Sequence, residues 1–139
     1  MWVLAPVLLL YVVVMTPAWM HDHQLAGLVD RALGYPLPKG SDLGDYEPQS
    51  EVRPDADLCN YHVRFEIETE ASAEEVLTYY RTAKITPVGE GDLAVNVWEP
   101  FGPPASPMDD PKENGGRRRI IVELQDNHHD GGFWDLRCL

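Results

Sequence analysis

Residues Cys59–Ala83 read CNYHVRFEIETEASAEEVLTYYRTA, and this stretch decides the fold. Val63, Phe65 and Ile67 alternate with Arg64, Glu66 and Glu68. A period of two gives a strand one apolar face and one polar face. Ser72 followed by Glu75 then has the spacing of a capping box. The serine hydroxyl accepts from a first-turn N–H while the glutamate reaches back to the cap N–H. Ala73, Val76, Leu77, Tyr80 and Ala83 share one helical face. The stretch therefore predicts a strand feeding a capped amphipathic helix, the two joined by an apolar seam.

Downstream, Lys84–Asp92 turns through Pro87, Gly89 and Gly91, and Leu93–Trp98 reads as a second strand with Leu93, Val95 and Val97 inward. Residues 99–116 are rich in proline and poor in aliphatic side chains, which predicts a long mobile loop without a core of its own. Arg118–Gln125 is a third strand with Ile120, Val122 and Leu124 inward. Asp126–Gly132, DNHHDGG, predicts a hairpin turn, and Phe133–Cys138 a last strand.

Upstream, Tyr35–Asp55 carries four prolines and reads as an irregular connection with a short strand near Leu43–Tyr46. Asp22 caps a short helix over His23–Leu33 that Gly34 and Pro36 end. The expected architecture is α+β: a mainly antiparallel four-stranded sheet with one helix packed on one face, preceded by an N-terminal hydrophobic membrane-targeting helix. The expected divisions are 1–20, a signal peptide or membrane anchor; 21–58, a short amphipathic helix and a Pro/Gly-rich connection; and 59–139, the sheet domain.

Trp2–Met20, WVLAPVLLLYVVVMTPAWM, holds no charged side chain. As a helix this run is about 28 Å long, close to the roughly 30 Å hydrocarbon core of a bilayer. Two readings stay open. Thr16-Pro17-Ala18 is a small-x-small site that suits a cleaved signal peptide, although no basic n-region precedes the apolar run. Length suits an uncleaved anchor, in which case the membrane is a partner through Trp2–Met20. Either way the domain is expected to be extracytoplasmic, tethered or secreted.

The chain of 139 residues has 23 acidic and 11 basic side chains and a net charge of −12. Nucleic acid is excluded as an expected partner, because affinity for phosphate comes from Lys and Arg. The basic run Arg117-Arg118-Arg119 reads as a solvated strand end.

Cys59 is in phase with Val63 and Phe65, and Cys138 with Trp134 and Leu136. If the first and last strands are antiparallel neighbours, the two cysteines face each other at a Cα separation of about 4.5–5.5 Å, which suits a disulfide. Two buried free thiols are the alternative. Neither cysteine has Cys-x-x-Cys spacing.

Imidazole and carboxylate occur together at His21-Asp22-His23 and His128-His129-Asp130, so His21, His23, His128, His129 and Asp130 are the candidate metal ligands. Adjacent histidines on a turn rarely converge on one ion, and polar turn residues are the plainer reading. Cleavage after Ala18 would create an amino-terminal Trp19-Met20-His21, which can wrap Cu²⁺ or Ni²⁺ in a square plane. Glu66 and Glu68 share a strand face and are expected to be solvated. No phosphate loop and no G-x-S-x-G nucleophile motif is present, and no catalytic residue or cofactor is expected. Trp98, Ile121 and Phe133 fall on the polar face of the sheet, where the N-terminal helix covers them or a partner does.

Glu68–Arg81, ETEASAEEVLTYYR, resembles the strand and capped helix of uncharacterised small exported bacterial proteins, in which a helix of the type S-x-E-E-V-x-x-Y-Y-R follows a strand. The resemblance implies no activity. The expected function is that of a non-enzymatic interaction module with an unknown protein partner. The rival readings are an extracytoplasmic metal-handling protein and an enzyme whose site is assembled from scattered residues.

Overall fold

The computed structural model describes residues 4–55, 58–89, 91–100, 116–130 and 135–138. The element order is α1 (Leu4–Gly34), β1 (Ser41–Leu43), β2 (Gln49–Asp55), β3 (Leu58–Thr69), α2 (Ala73–Thr82), β4 (Leu93–Trp98), β5 (Arg118–Asp130) and a 3₁₀ turn at Leu136–Cys138. The protein is α+β, with an antiparallel five-stranded sheet.

β3 is the axis of that sheet. It pairs with β5 on one edge, with Val63 opposite Leu124, Phe65 opposite Val122 and Ile67 opposite Ile120. β4 completes that side, with Val95 opposite Leu124 and Val97 opposite Val122. On its other edge β3 takes two short strands in succession. Ser41–Leu43 pairs with Ile67–Thr69, and Gln49–Asp55 pairs with Leu58–Arg64. Pro54 is tolerated in β2 because β2 pairs with β3 alone, which leaves an edge where a missing N–H costs no ladder bond.

One apolar face holds the core. Tyr61, Val63, Ile67, Val76, Ile120, Val122 and Leu124 are fully buried. α2 begins with the expected box: the Glu75 N–H donates to the Ser72 hydroxyl, and the Ser72 N–H donates to the Glu75 carboxylate (2.8 Å). The ring of Tyr80 meets Phe65 edge-on at 5.8 Å. α1 reaches the same face of β3, where Gln24 accepts from the Tyr61 hydroxyl (2.6 Å).

Several expectations are corrected. No cap at Asp22 separates a leader from a second helix. α1 is one helix of 31 residues with Pro17 inside it. Its two halves differ in environment. Leu4, Leu8, Leu9 and Leu10 are each 65% exposed or more. From His21 onward one stripe is buried: His21, Leu25, Leu28 and Ala32, at the helical spacing of four, three and four. Residues 21–55 are thus part of the sheet domain's own structure. The region read as irregular supplies two strands, because β3 offers a free ladder edge to pair with even where a segment has no apolar alternation. The turn expected at Asp126 is absent, since β5 runs on to Asp130. In place of a last strand, Leu136–Cys138 forms a 3₁₀ turn. Most of the proline-rich loop lies outside the described residues.

Candidate functional site

Among the described residues, one group of four potential ligand atoms converges. His21, Cys59, Asp135 and Cys138 are all buried, and one ligand atom from each lies within 4.8 Å of every other. Three parts of the fold deliver them. His21 is the first buried residue of α1, Cys59 is the second residue of β3, and Asp135 precedes the 3₁₀ turn that Cys138 ends, with the Cys138 N–H donating to the Asp135 carbonyl (3.0 Å).

Cys59 and Cys138 are bridged, with Cα atoms 5.3 Å apart. This separation lies in the ordinary range for a disulfide. Of the two alternatives for this pair the bridge is the one observed, although Cys138 sits on a turn and not on a neighbouring strand. In the chain-entropy view, a crosslink spanning 79 residues stabilises by roughly 4–5 kcal/mol.

Beside the bridge, His21 Nδ1 lies 2.6 Å from Asp135 Oδ2 and 3.5 Å from Cys59 Sγ. Asp135 is otherwise held by Arg137. The Arg137 backbone N–H and Nε donate to Oδ1 (3.1 Å each), and Nη2 donates to Oδ2 (2.9 Å). Arg137 first, against the opposing effect of burial, and then His21 hold the Asp135 carboxyl down at a pKa of about 2. It is therefore ionised, and the His21 Nδ1–H is the donor. Arg137 also reaches α1, donating to Asp22 (2.6 Å) and to the Ala18 carbonyl (3.0 Å). The clamp sits where the exposed half of α1 gives way to the packed half. Below it the Tyr61 ring meets His21 edge-on at 5.9 Å.

This is not a nucleophile–base–acid relay. A relay uses both imidazole nitrogens, one toward the carboxylate and one toward the nucleophile. Here the same Nδ1 faces both groups, and it can carry only one proton. The sulfur is also already bonded to another.

The polar face of the sheet carries a second constellation. Arg64 donates to Glu123 through Nε (3.2 Å) and Nη2 (2.5 Å), and its guanidinium lies 5.4 Å from the Trp98 ring centroid. Burial would raise the Glu123 carboxyl, but the hydrogen bonds and charge of Arg64, with His62 and Asn96, together outweigh it and hold the group low. Trp98 and Ile121 are cross-strand partners here and are partly exposed. α1 does not cover them, because it lies on the opposite face with α2. The expectation that Glu66 is solvated fails. Glu66 is 4% exposed, and burial raises its carboxyl pKa. Gly44 passes directly over its side chain and donates its N–H to the Glu66 carbonyl (2.8 Å).

A cleft of about 290 Å³ between α2 and β4 is lined by Tyr80, Ala83, Ile85, Leu93, Val95 and Leu124. Its charged lining residues, Arg81 and Asp92, are both exposed.

Of the histidines singled out from sequence, only His21 is placed in a site. His23 is exposed on α1. The side chains of His128, His129 and Asp130, and the whole of Phe133, lie outside the described residues. His21 sits in mid-helix with its ring on Asp135, so a square-planar Trp19-Met20-His21 site would need those residues to leave the helix. Asp135 is not among the ligands that the sequence singles out, and it is buried instead of lying on a wet sheet face. Its signal is the spacing Asp135-x-x-Cys138, two ligand types three apart on one turn. No family model matches the chain, and no match is found among curated proteins or solved structures.

Proposed function

We propose that this chain is an extracytoplasmic interaction domain, tethered to or exported across a membrane by the apolar half of α1, and that it acts by contact instead of catalysis. One observation carries the reading. α1 is a single helix whose first half exposes apolar side chains all round and whose second half is built into the core. Exposed Leu, Val and Trp over such a length are unfavourable in water and favourable in hydrocarbon. The buried disulfide is consistent with an oxidising compartment. Trp98 and Ile121, partly exposed on the polar sheet face, are the proposed contact residues.

The test is a dual-reporter topology assay in a bacterial host, combined with alkaline carbonate extraction and a free-thiol count. The reading expects a translocated domain with no free thiol, in the membrane pellet if the helix is retained and in the medium or periplasm if it is cut. A soluble cytosolic protein with two free thiols would end the proposal.

A further inference from the structure

The four atoms at the Cys59–Cys138 bridge form a closed site for a different occupant once the bridge is opened. We infer that the reduced chain binds one Zn²⁺ ion through Cys59, Cys138, His21 and Asp135, so that disulfide and metal are alternative crosslinks at one position. The inference is independent of the membrane reading, because it concerns the folded chain wherever it resides.

Geometry is the first argument. Zinc takes sulfur at about 2.3 Å and nitrogen or oxygen at about 2.0–2.2 Å in a tetrahedron, which puts ligand atoms roughly 3.3–3.8 Å apart. His21 Nδ1 and Cys59 Sγ already lie 3.5 Å apart. All four ligand atoms fall within 4.8 Å of one another. Opening the S–S bond lets the sulfurs part, and the His21–Asp135 contact of 2.6 Å has to widen by less than an ångström. No backbone element has to move far.

Ligand chemistry is the second argument. Two thiolates, one imidazole and one carboxylate form a donor set that suits zinc, and four protein ligands with no open position make a structural site. Charge supports the same conclusion. Two thiolates, one carboxylate and Zn²⁺ sum to −1, and Arg137, which also meets the exposed Asp22, lies against Asp135 to offset that charge. Arg137 holds Oδ1 through two donors and Oδ2 through a third, which fixes the carboxylate in the way outer-shell partners orient metal ligands.

The chemical step balances. A dithiol reductant supplies two electrons and two protons. The Cys59–Cys138 bond breaks, two thiols form, and the reductant closes to its own disulfide. Zn²⁺ then displaces both thiol protons, and the Nδ1 proton of His21 moves to Nε2 so that Nδ1 can ligate. A small-molecule disulfide reverses the sequence: it takes the two electrons as the Cys59–Cys138 bond re-forms, leaves as two thiols with protons from water, and the ion is expelled.

The test uses the full chain in detergent, reduced with a phosphine, stripped of it under argon and titrated with Co²⁺ as a spectroscopic stand-in for zinc. The expected result is one equivalent bound, with visible bands of tetrahedral intensity and a near-ultraviolet thiolate charge-transfer band. Zinc should bleach both, and the oxidised protein should show neither. The double variant Cys59→Ser/Cys138→Ser should lose the charge-transfer band. Asp135→Asn, which keeps the shape of the carboxylate, and His21→Gln should each weaken binding by at least about tenfold. Near-ultraviolet circular dichroism reports whether each species is folded. Three results overturn the inference: a folded reduced protein that binds no Co²⁺; thiolate bands unchanged by both His21→Gln and Asp135→Asn; or a reduced chain that unfolds and is not restored by the metal.

Discussion

His21 Nδ1 lies 2.6 Å from Asp135 Oδ2 although 114 residues separate them, so the middle of the first helix and the 3₁₀ turn are fastened at one buried hydrogen bond. The Asp135 carboxyl, at about 2 instead of its ordinary 3.8, sets an acid limit on the fold. A depressed carboxyl favours the folded state fully above the unfolded value. That contribution is lost as pH falls through the folded value. The window is therefore pH 4 down to 2, and the loss is about 2 kcal/mol. Asp135→Asn should be less stable at neutral pH yet show a shallower acid limb. Denaturant midpoints measured between pH 2 and 6 check both parts.

At the alkaline end the sign reverses. Burial pushes the Tyr61 hydroxyl up to about 12, and burial pushes Tyr80 higher still. Above pH 10 the unfolded chain ionises these rings while the folded chain does not, so stability falls as pH rises through that point. Tyr61 alone contributes a loss of about 2–3 kcal/mol by pH 12. Ultraviolet titration of tyrosinate should show Tyr61 and Tyr80 ionising only with unfolding. Tyr61→Phe forfeits the hydrogen bond to Gln24, about 1 kcal/mol, and should flatten the alkaline limb.

Two leucines of one helix should respond oppositely. Leu28 is fully buried among core side chains, and Leu28→Ala should cost about 2–5 kcal/mol. Leu9 is 67% exposed, and Leu9→Ala should leave the stability of the sheet domain within about 0.5 kcal/mol. Chemical denaturation in mild detergent separates the two.

Gly44 is required by what it passes over. A Cβ there would stand 2.4 Å from Glu66 Oε1, 2.7 Å from its Cγ and 2.9 Å from its Cβ. Gly44→Ala should destabilise by about 1–3 kcal/mol, as overpacking does. Adding Glu66→Ala should recover part of that loss, a coupling that a double-mutant cycle measures directly.

Legibility in the sequence followed the strength of local periodicity. β3, α2 and β4 could be read because their apolar residues repeat at two or near 3.6 and a capping box marks the joint. β2 could not, because QSEVRPD has only Val52 partly buried, and its strand form comes from pairing with β3. The tail of β5 was hidden for a similar reason. Asn127, the two histidines and Asp130 favour turns locally, but the free edge of β3 from Leu58 to Tyr61 carries the ladder through them across a bulge. The bridge was legible as a pair of phases, and its neighbours were not. Nothing local to Asp135 says that a histidine more than a hundred residues earlier will meet it, since that contact is made by the packing of α1.

Pro17 stands one helical turn before His21, inside α1. It has no N–H to offer the carbonyl four residues back, so the rod is most compliant there, next to the Arg137 contact with Ala18 and Asp22. The exposed half of α1 thus meets its packed half within one turn of the side chains that surround the bridge.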